Sequence, residues 1–309
     1  MGERPKLAFI GAGATGTVLA TSFFRAGYPI AVIASRTKDH ALRLARLVPG
    51  ARAADQPQEA VDAAEVVFLT VPDDAIAAVA GSLAWRPRKS AVHASGALGL
   101  DVLAGPAGQG TSTAVFHPLQ TFASLAREEQ TLAGSTISIL ASDEPLRERL
   151  REMAQALGAR PHDLPADATP LYHASAVLAS NALVALVDAA AGLWERFGGS
   201  RKEALQSLLP LVQGTVDNLK TIGLPGALTG PVARGDVGTV ERHLAALAEA
   251  APEVACAYEE LARLMIPIAL AKGGLDEAQA GRLREVLDRH ASVAPADQRA
   301  PKTKGGRVA

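Results

Sequence analysis

The sequence predicts an α/β domain built on a parallel sheet, followed by an all-helical domain. Three observations predict it. Short apolar runs alternate with helical stretches up to about Pro165, uninterrupted helical periodicity replaces that rhythm afterwards, and a glycine string follows the first apolar run directly.

The first run, residues 6–10 (KLAFI), passes through GAGATG into a helix that the pattern carries to Arg25. The second, 29–35 (PIAVIAS), leads into a helix through Leu47, and the third, 65–71 (EVVFLTV), leads into an amphipathic stretch over 73–83. Residues 90–95 (SAVHAS), 111–117 (TSTAVFH) and 135–141 (STISILA) read as further strands. Apolar strands this short, separated by helices, belong to a parallel sheet covered on both faces. Beyond Pro165 the segment VLASNALVALVDAAAGLWERF keeps its apolar residues at helical spacing up to a break at Gly198 and Gly199. Further helices are predicted over 202–221, 236–248, 252–272 and 276–290. The expected organisation is therefore a sheet domain over 1–165, a helical domain over 166–291, and a disordered tail over 292–309 that is rich in proline, glycine and charge.

Composition narrows the function classes. Lys plus Arg is 31 and Asp plus Glu is 32, a net charge of -1. That balance offers no electrostatic case for a nucleic-acid or membrane-surface partner. The single cysteine, Cys256, excludes an internal disulfide and a cysteine-ligated metal centre, and makes a reducing cytoplasm the simplest compartment. The N-terminus enters a strand-like run without a signal-peptide core. The most apolar stretch, 172–194, is interrupted by Ser175, Ser180, Asn181 and Asp188, so no membrane span is expected. The seven histidines are scattered without a short ligand spacing, and no metal site is expected. Abundant alanine favours closely packed helices.

Gly11, Gly13 and Gly16, with Ala12, Ala14 and Thr15 between them, form G-x-G-x-x-G between a strand and a helix. Such a string supplies a tight turn, close backbone approach to a pyrophosphate, and close helix–strand packing; the free N–H groups of the helix start then face the phosphates. The second strand ends in Ser35-Arg36-Thr37, with Lys38 next, and not in an acidic residue. An acidic residue would repel an adenosine 2′-phosphate, whereas these groups can hold one, so NADP(H) is expected over NAD. The bland alternative makes Arg36 a solvated residue at a helix start.

Polar turns follow the later strands: Val71-Pro72-Asp73-Asp74, then His93-Ala94-Ser95-Gly96-Ala97, then His117-Pro118-Leu119-Gln120-Thr121-Phe122. Ligands bind beyond the carboxyl ends of parallel strands, so these turns can converge on one crevice. Asp73 or Asp74 can equally cap the next helix, and His93 can equally be a satisfied core histidine. His117, before a proline and a cluster of donors and acceptors, is the better candidate for lining a site. On one predicted long helix, Tyr172 and Ser180 are spaced as His173 and Asn181 are, about 80° past two full turns, so each pair shares a broad face. A polar bridge between helices is the alternative reading. The segment 223–236 (GLPGALTGPVARGD) offers Thr229, Arg234 and Asp236 as anchors, or a linker with a local Arg–Asp pair.

Assembled, these residues make the chain resemble the Rossmann-like proteins with a DUF2520 C-terminal domain, relatives of pyrroline-5-carboxylate reductase, ketopantoate reductase and 6-phosphogluconate dehydrogenase. The resemblance rests on GAGATG, SRT, TVPDDAI, HASGALG, HPLQTF, LYHASAVLASN and LTGPVARGD, and reaches to about His290. It implies a nucleotide domain, a helical domain of the 6-phosphogluconate dehydrogenase C-terminal type that often makes a dimer interface, and a substrate pocket between them. Several relatives reduce an imine or keto group with a nicotinamide hydride. Where ketopantoate and hydroxyacid members carry a lysine four residues before the asparagine, this chain has Val177 before Asn181, and Lys220 is the only replacement to nominate.

The expectation is an NADP-dependent oxidoreductase acting on a small imine or keto substrate. Its nicotinamide would lie over Val71, Pro72, Ser95 and Gly96. His117, His173 and Asn181 are the expected catalytic residues, His117 first and His173 second as proton donor. Gln120, Thr121, Tyr172, Ser180 and Arg234 are expected to hold substrate. The alternative is a non-catalytic NADP-binding sensor or interaction protein. A homodimer through the alanine-rich C-terminal helices is expected.

Overall fold

The computed structural model describes residues 4–122 and 132–293. The chain falls into two compact units, residues 1–182 and 183–309. The first holds an eight-stranded sheet of order β3-β2-β1-β4-β5-β6-β7-β8.

Its elements run β1 (Leu7–Ile10), α1 (Ala14–Arg25), β2 (Ile30–Ala34), α2 (Lys38–Leu47), β3 (Arg52–Ala54), α3 (Pro57–Ala63), β4 (Val66–Leu69), α4 (Asp73–Gly81) and β5 (Ser90–His93). After a 3-10 turn at Leu100–Leu103 come α5 (Ala104–Gly108), β6 (Ser112–Leu119), β7 (Thr136–Ala141), α6 (Glu144–Ala156), β8 (Arg160–Asp163) and α7 (Thr169–Ala179). Strand pairing is parallel throughout except between β6 and β7.

Successive residues of a strand face opposite sides, and both sides are covered here. Leu7 and Phe9 of β1 pack with Phe23 of α1, Leu44 of α2 and Leu150 of α6. Ala8 and Ile10 pack with Val61 of α3 and Ile76 of α4. Phe9 stacks on Phe68 with centroids 5.1 Å apart, and Phe23 and Phe116 close round Phe68 at 5.3 and 5.6 Å. This double-sided burial is why the central strands read as continuous apolar runs.

The differences from the sequence expectation lie at the sheet's margins and in the long helix that follows it. β7 runs antiparallel to β6, so the sheet is not wholly parallel. Two strands carry no pattern that predicts them: β3 is three residues long, and β8 (RPHD) is mostly exposed. Both are edge strands, which need no alternating apolar pattern and tolerate Pro161. The long helix expected through Tyr172 and Asn181 is interrupted: Ser180 leaves helical geometry at φ -123°, ψ -72°, so α7 stops at Ala179. Serine and asparagine side chains compete for backbone hydrogen bonds, which favours a break at such a pair.

The second unit contains the remainder of α8 (Asn181–Glu195), with α9 (Arg201–Thr221), a 3-10 turn at Val232–Arg234, α10 (Val237–Ala250), α11 (Pro252–Lys272) and α12 (Glu277–Val293). Its core is built by α10, α11 and α12 through Val240, Leu244, Ile266, Leu283 and Leu287. By contrast α8 and α9 bury only Ala191 and Ala204. The sequence-predicted tail begins two residues inside α12; residues 294–309, with the rest of that expectation, lie outside the described residues.

Candidate functional site at the carboxyl edge of the sheet

The glycine string forms a cradle. Gly11 turns the chain out of β1 at φ +111°, a conformation that disfavours a side chain, and a Cβ there would strike the Thr70 carbonyl. At Gly16 a Cβ would strike Gly11 O and Thr70 Oγ1, so helix α1 packs against its own loop at backbone distance. Above Gly13, in contrast, a Cβ would meet nothing within 4 Å. Thr70 ties the arrangement together by donating its hydroxyl to Gly11 O at 2.7 Å. The first turn of α1 carries no acidic residue and no side-chain cap, and the N–H of Thr17 takes Gly13 O at 2.9 Å. The N–H groups before it belong to the unsatisfied first turn of α1, beside the open space over Gly13. A positive helix end with room for a phosphate fits a dinucleotide pyrophosphate.

At the end of β2, Ser35 is half-buried while Arg36 and Thr37 are exposed. Thr37 starts α2 without using its side chain as a cap, and Lys38 pairs with Asp55 at 3.0 Å. Two hydroxyls and a guanidinium thus stand at the sheet edge, where the ribose-reading residue of such a cradle stands.

Three strands further along the sheet, the turn after β5 is internally bonded. Ser95 N–H donates to His93 Nδ1 at 3.2 Å, which makes that nitrogen the acceptor and places the ring proton on Nε2, directed at Gly99 O at 3.0 Å. Burial pushes the His93 pKa down. His93 is therefore a neutral packed histidine that shapes the turn. Ser95 Oγ donates to Asp73 Oδ2 at 2.7 Å and accepts from the N–H groups of Ala97 and Leu98. Val71 and Pro72 precede Asp73 at the close of β4, Pro72 exposed and Val71 half-buried.

β6 brings His117 beside this turn. A Cβ on Gly96 would lie 2.7 Å from His117 Nε2, so the glycine leaves room for the imidazole edge. His117 Nδ1 is 2.8 Å from the Tyr172 hydroxyl, and the His173 ring stands edge-on at 6.4 Å between centroids. Burial, and then His173, lowers the His117 pKa from 6.5 to about 4. Burial raises that of Tyr172, against the influence of Ser138. The structure thus brings His117, Tyr172, His173, Gly96 and Ser95 together in the first unit.

Other expected residues stand apart from this cluster. Gln120 and Thr121 are exposed, and the Gln120 amide oxygen accepts from Thr121 N–H. Ser180 and Asn181 lie at the helix break, Asn181 exposed. Because the helix breaks there, the shared faces inferred for Tyr172 with Ser180 and for His173 with Asn181 do not persist. Arg234 is exposed in the second unit, and Asp236 caps α10 through Thr239 instead of pairing with it. Sequence reasoning missed Thr70 and Ser138. Thr70 could have been found as the hydroxyl residue that follows β4 directly before the proline turn, but nothing local marks Ser138.

Residues 6–94 match the family described as NADP oxidoreductase, coenzyme F420-dependent, and residues 135–265 match DUF2520, a domain of unknown function. No curated protein matches the chain by sequence. Among solved structures it is similar to BF3122 of Bacteroides fragilis, named as an inferred NADP oxidoreductase, at 26% identity and TM-score 0.70 over 85% of this chain and 98% of that one. Protein TM1727 of Thermotoga maritima is 27% identical with TM-score 0.68 over 86% and 99%. An imine reductase from Pseudomonas sp. shares the fold at 22% identity and TM-score 0.59 over 91% and 99%.

Proposed function

We infer that this chain, a DUF2520-associated protein of the Rossmann-fold oxidoreductase superfamily that includes pyrroline-5-carboxylate reductase, transfers a hydride between NADP(H) and a small imine or keto compound. The observation that carries the reading is the placement of two features on one sheet edge. The phosphate cradle closes β1, and the His117–Tyr172 pair closes β6, with the turns after β4 and β5 between them. Three strand spacings separate β1 from β6, about 14 Å, the direction in which a dinucleotide extends from its pyrophosphate. Gly11, Gly13, Gly16 and the start of α1 would hold the pyrophosphate, and Ser35, Arg36 and Thr37 the 2′-phosphate. The bound cofactor supplies a hydride; the chain supplies orientation, water exclusion and a proton. A purely sensory role would leave the His117–Tyr172 pair, placed beside the expected nicotinamide position, without a task.

The test is a pair of titrations. A charge-assisted contact contributes ~1.5–3 kcal/mol, so NADPH should bind at least ~10-fold more tightly than NADH, and Arg36→Ala should remove most of that margin. Equal affinities in the wild type would overturn the cofactor assignment. Oxidation of NADPH should then be followed against small imines and ketones, and a failure with both classes would remove the substrate reading.

The assembly belongs to the same proposal. Helices α8 and α9 expose Leu183, Val184, Leu186, Leu205, Leu209 and Leu211 while burying one alanine each. Residues Thr169–Glu195 are long and apolar enough to cross a membrane by length and composition. Yet α7 carries Tyr172 and His173 beside His117, and α8 carries Asp188 paired with Arg201. A second copy of the chain, which can cover apolar surface and leave those groups wet or paired, is the better occupant.

A further inference from the structure

His117 has the position of a proton donor and the wrong charge state for one. Held neutral, it keeps a single ring proton, and its Nδ1 is already engaged with Tyr172. The phenol stays protonated across the physiological range. Among the described residues two buried hydroxyls lack a partner, Thr169 on Tyr172's own helix and Ser138 across from it, and of these Ser138 acts on the phenol. Ser138 lies opposite His117 in the β6–β7 pairing, is fully buried, and its hydroxyl makes no hydrogen bond of normal geometry. It nevertheless lies close enough to Tyr172 to hold the phenol's pKa below what burial alone would impose. A buried hydroxyl without a partner costs stability, so one beside a buried phenol asks what charge it waits for.

We propose that Tyr172 delivers the proton in the redox step, and that His117 and Ser138 are positioning residues whose Nδ1–H and Oγ–H converge on the phenol oxygen. This rests on the oxidoreductase reading above. As the substrate carbon accepts a hydride, the π pair of its C=N or C=O bond moves to the heteroatom. The Tyr172 O–H bond breaks, its proton forms the new N–H or O–H bond, and the O–H electron pair stays on the phenolate. His117 Nδ1 already stands at hydrogen-bond distance from the phenol oxygen, and the unpartnered Ser138 hydroxyl needs only to rotate onto the phenolate as its charge forms. Solvent returns the proton after product leaves. In the oxidative direction the same phenolate receives the proton.

The arrangement requires a particular tautomer: His117 must carry its proton on Nδ1, opposite to His93, whose proton is on Nε2. Nitrogen-15 NMR of the apo protein reads this directly. His117 with its proton on Nε2 would overturn the proposal, because Tyr172 would then be spending its own proton on the ring. Ultraviolet titration gives the second readout: the ionisation missing from Tyr172→Phe should move to higher pH in Ser138→Ala, and an unmoved ionisation would overturn the role of Ser138. Kinetically, Tyr172→Phe should lose ~100 to 10,000-fold in rate while keeping the wild-type NADPH dissociation constant. A wild-type rate in Tyr172→Phe would overturn the proposal while leaving the oxidoreductase reading intact. Failure of the wild type to bind NADPH would instead overturn that reading, and the proposal with it.

Discussion

Burial of an imidazole opposes its charge, and at His117 that opposition sets the ring's state. The folded pKa of about 4 lies below the ordinary 6.5, so between those values the native state binds fewer protons than the unfolded chain. Stability linked to His117 is present in full above pH 6.5 and is lost as pH falls toward 4. The groups acting on the ring besides burial are His173 and His93, which oppose its protonation, and Asp73, which favours it. Urea unfolding of the wild type and of His117→Gln should therefore diverge between pH 6.5 and 4, the wild type losing more, and run parallel above pH 7. Parallel curves over the whole range would show that the ring titrates normally. Sequence alone places His93 and His117 alike near strand ends before polar turns, and prefers His117 only for the proline and polar residues that follow it. Their partners separate them: a backbone turn around one, a phenol beside the other.

At the scale of the element, the turn after β5 shows how a short motif is read only in part. HASGALG announces a tight polar turn, and its serine and histidine are spent on holding that turn. Its glycine serves a different strand. A methyl at Gly96 would press on His117 Nε2, Cε1 and Cδ2 at 2.7 to 3.0 Å, while Tyr172 fixes the far side of the ring. Gly96→Ala should cost ~1–3 kcal/mol by overpacking and displace the His117 ring, which the melting temperature and the His117 NMR titration would register together. An unchanged melt with an unchanged titration would mean the ring has room to spare. The break at Ser180 carries the same lesson for helices. Apolar periodicity runs through it undisturbed, because periodicity reports which side chains want cover and is blind to one residue's backbone angles.

For the whole molecule the contrast within the second unit matters most. Helices α10, α11 and α12 bury a core against one another, whereas α8 and α9 leave apolar faces outward. Sedimentation at micromolar concentration should show a species near twice 31.9 kDa, and Leu211→Asp, at a residue 67% exposed, should convert it to the single chain without unfolding it. A wild type that sediments as a single chain would refute the dimer.

By itself the sequence determined the order of sheet and helices, the phosphate cradle and the absence of an acidic residue after β2, because each depends on neighbours in the chain: periodicity, glycine spacing, one residue at one strand end. It also named His117, Tyr172 and His173 as candidates. Only the tertiary structure decided which of them meet, in what charge state, and with which unmarked partner. His117 and Tyr172 are far apart in sequence and 2.8 Å apart in space, and Ser138 reaches them through an antiparallel pairing that no local pattern announces. Burial and hydrogen bonding are properties of the packed chain, so the chemistry they impose on a side chain appears only once the chain has packed.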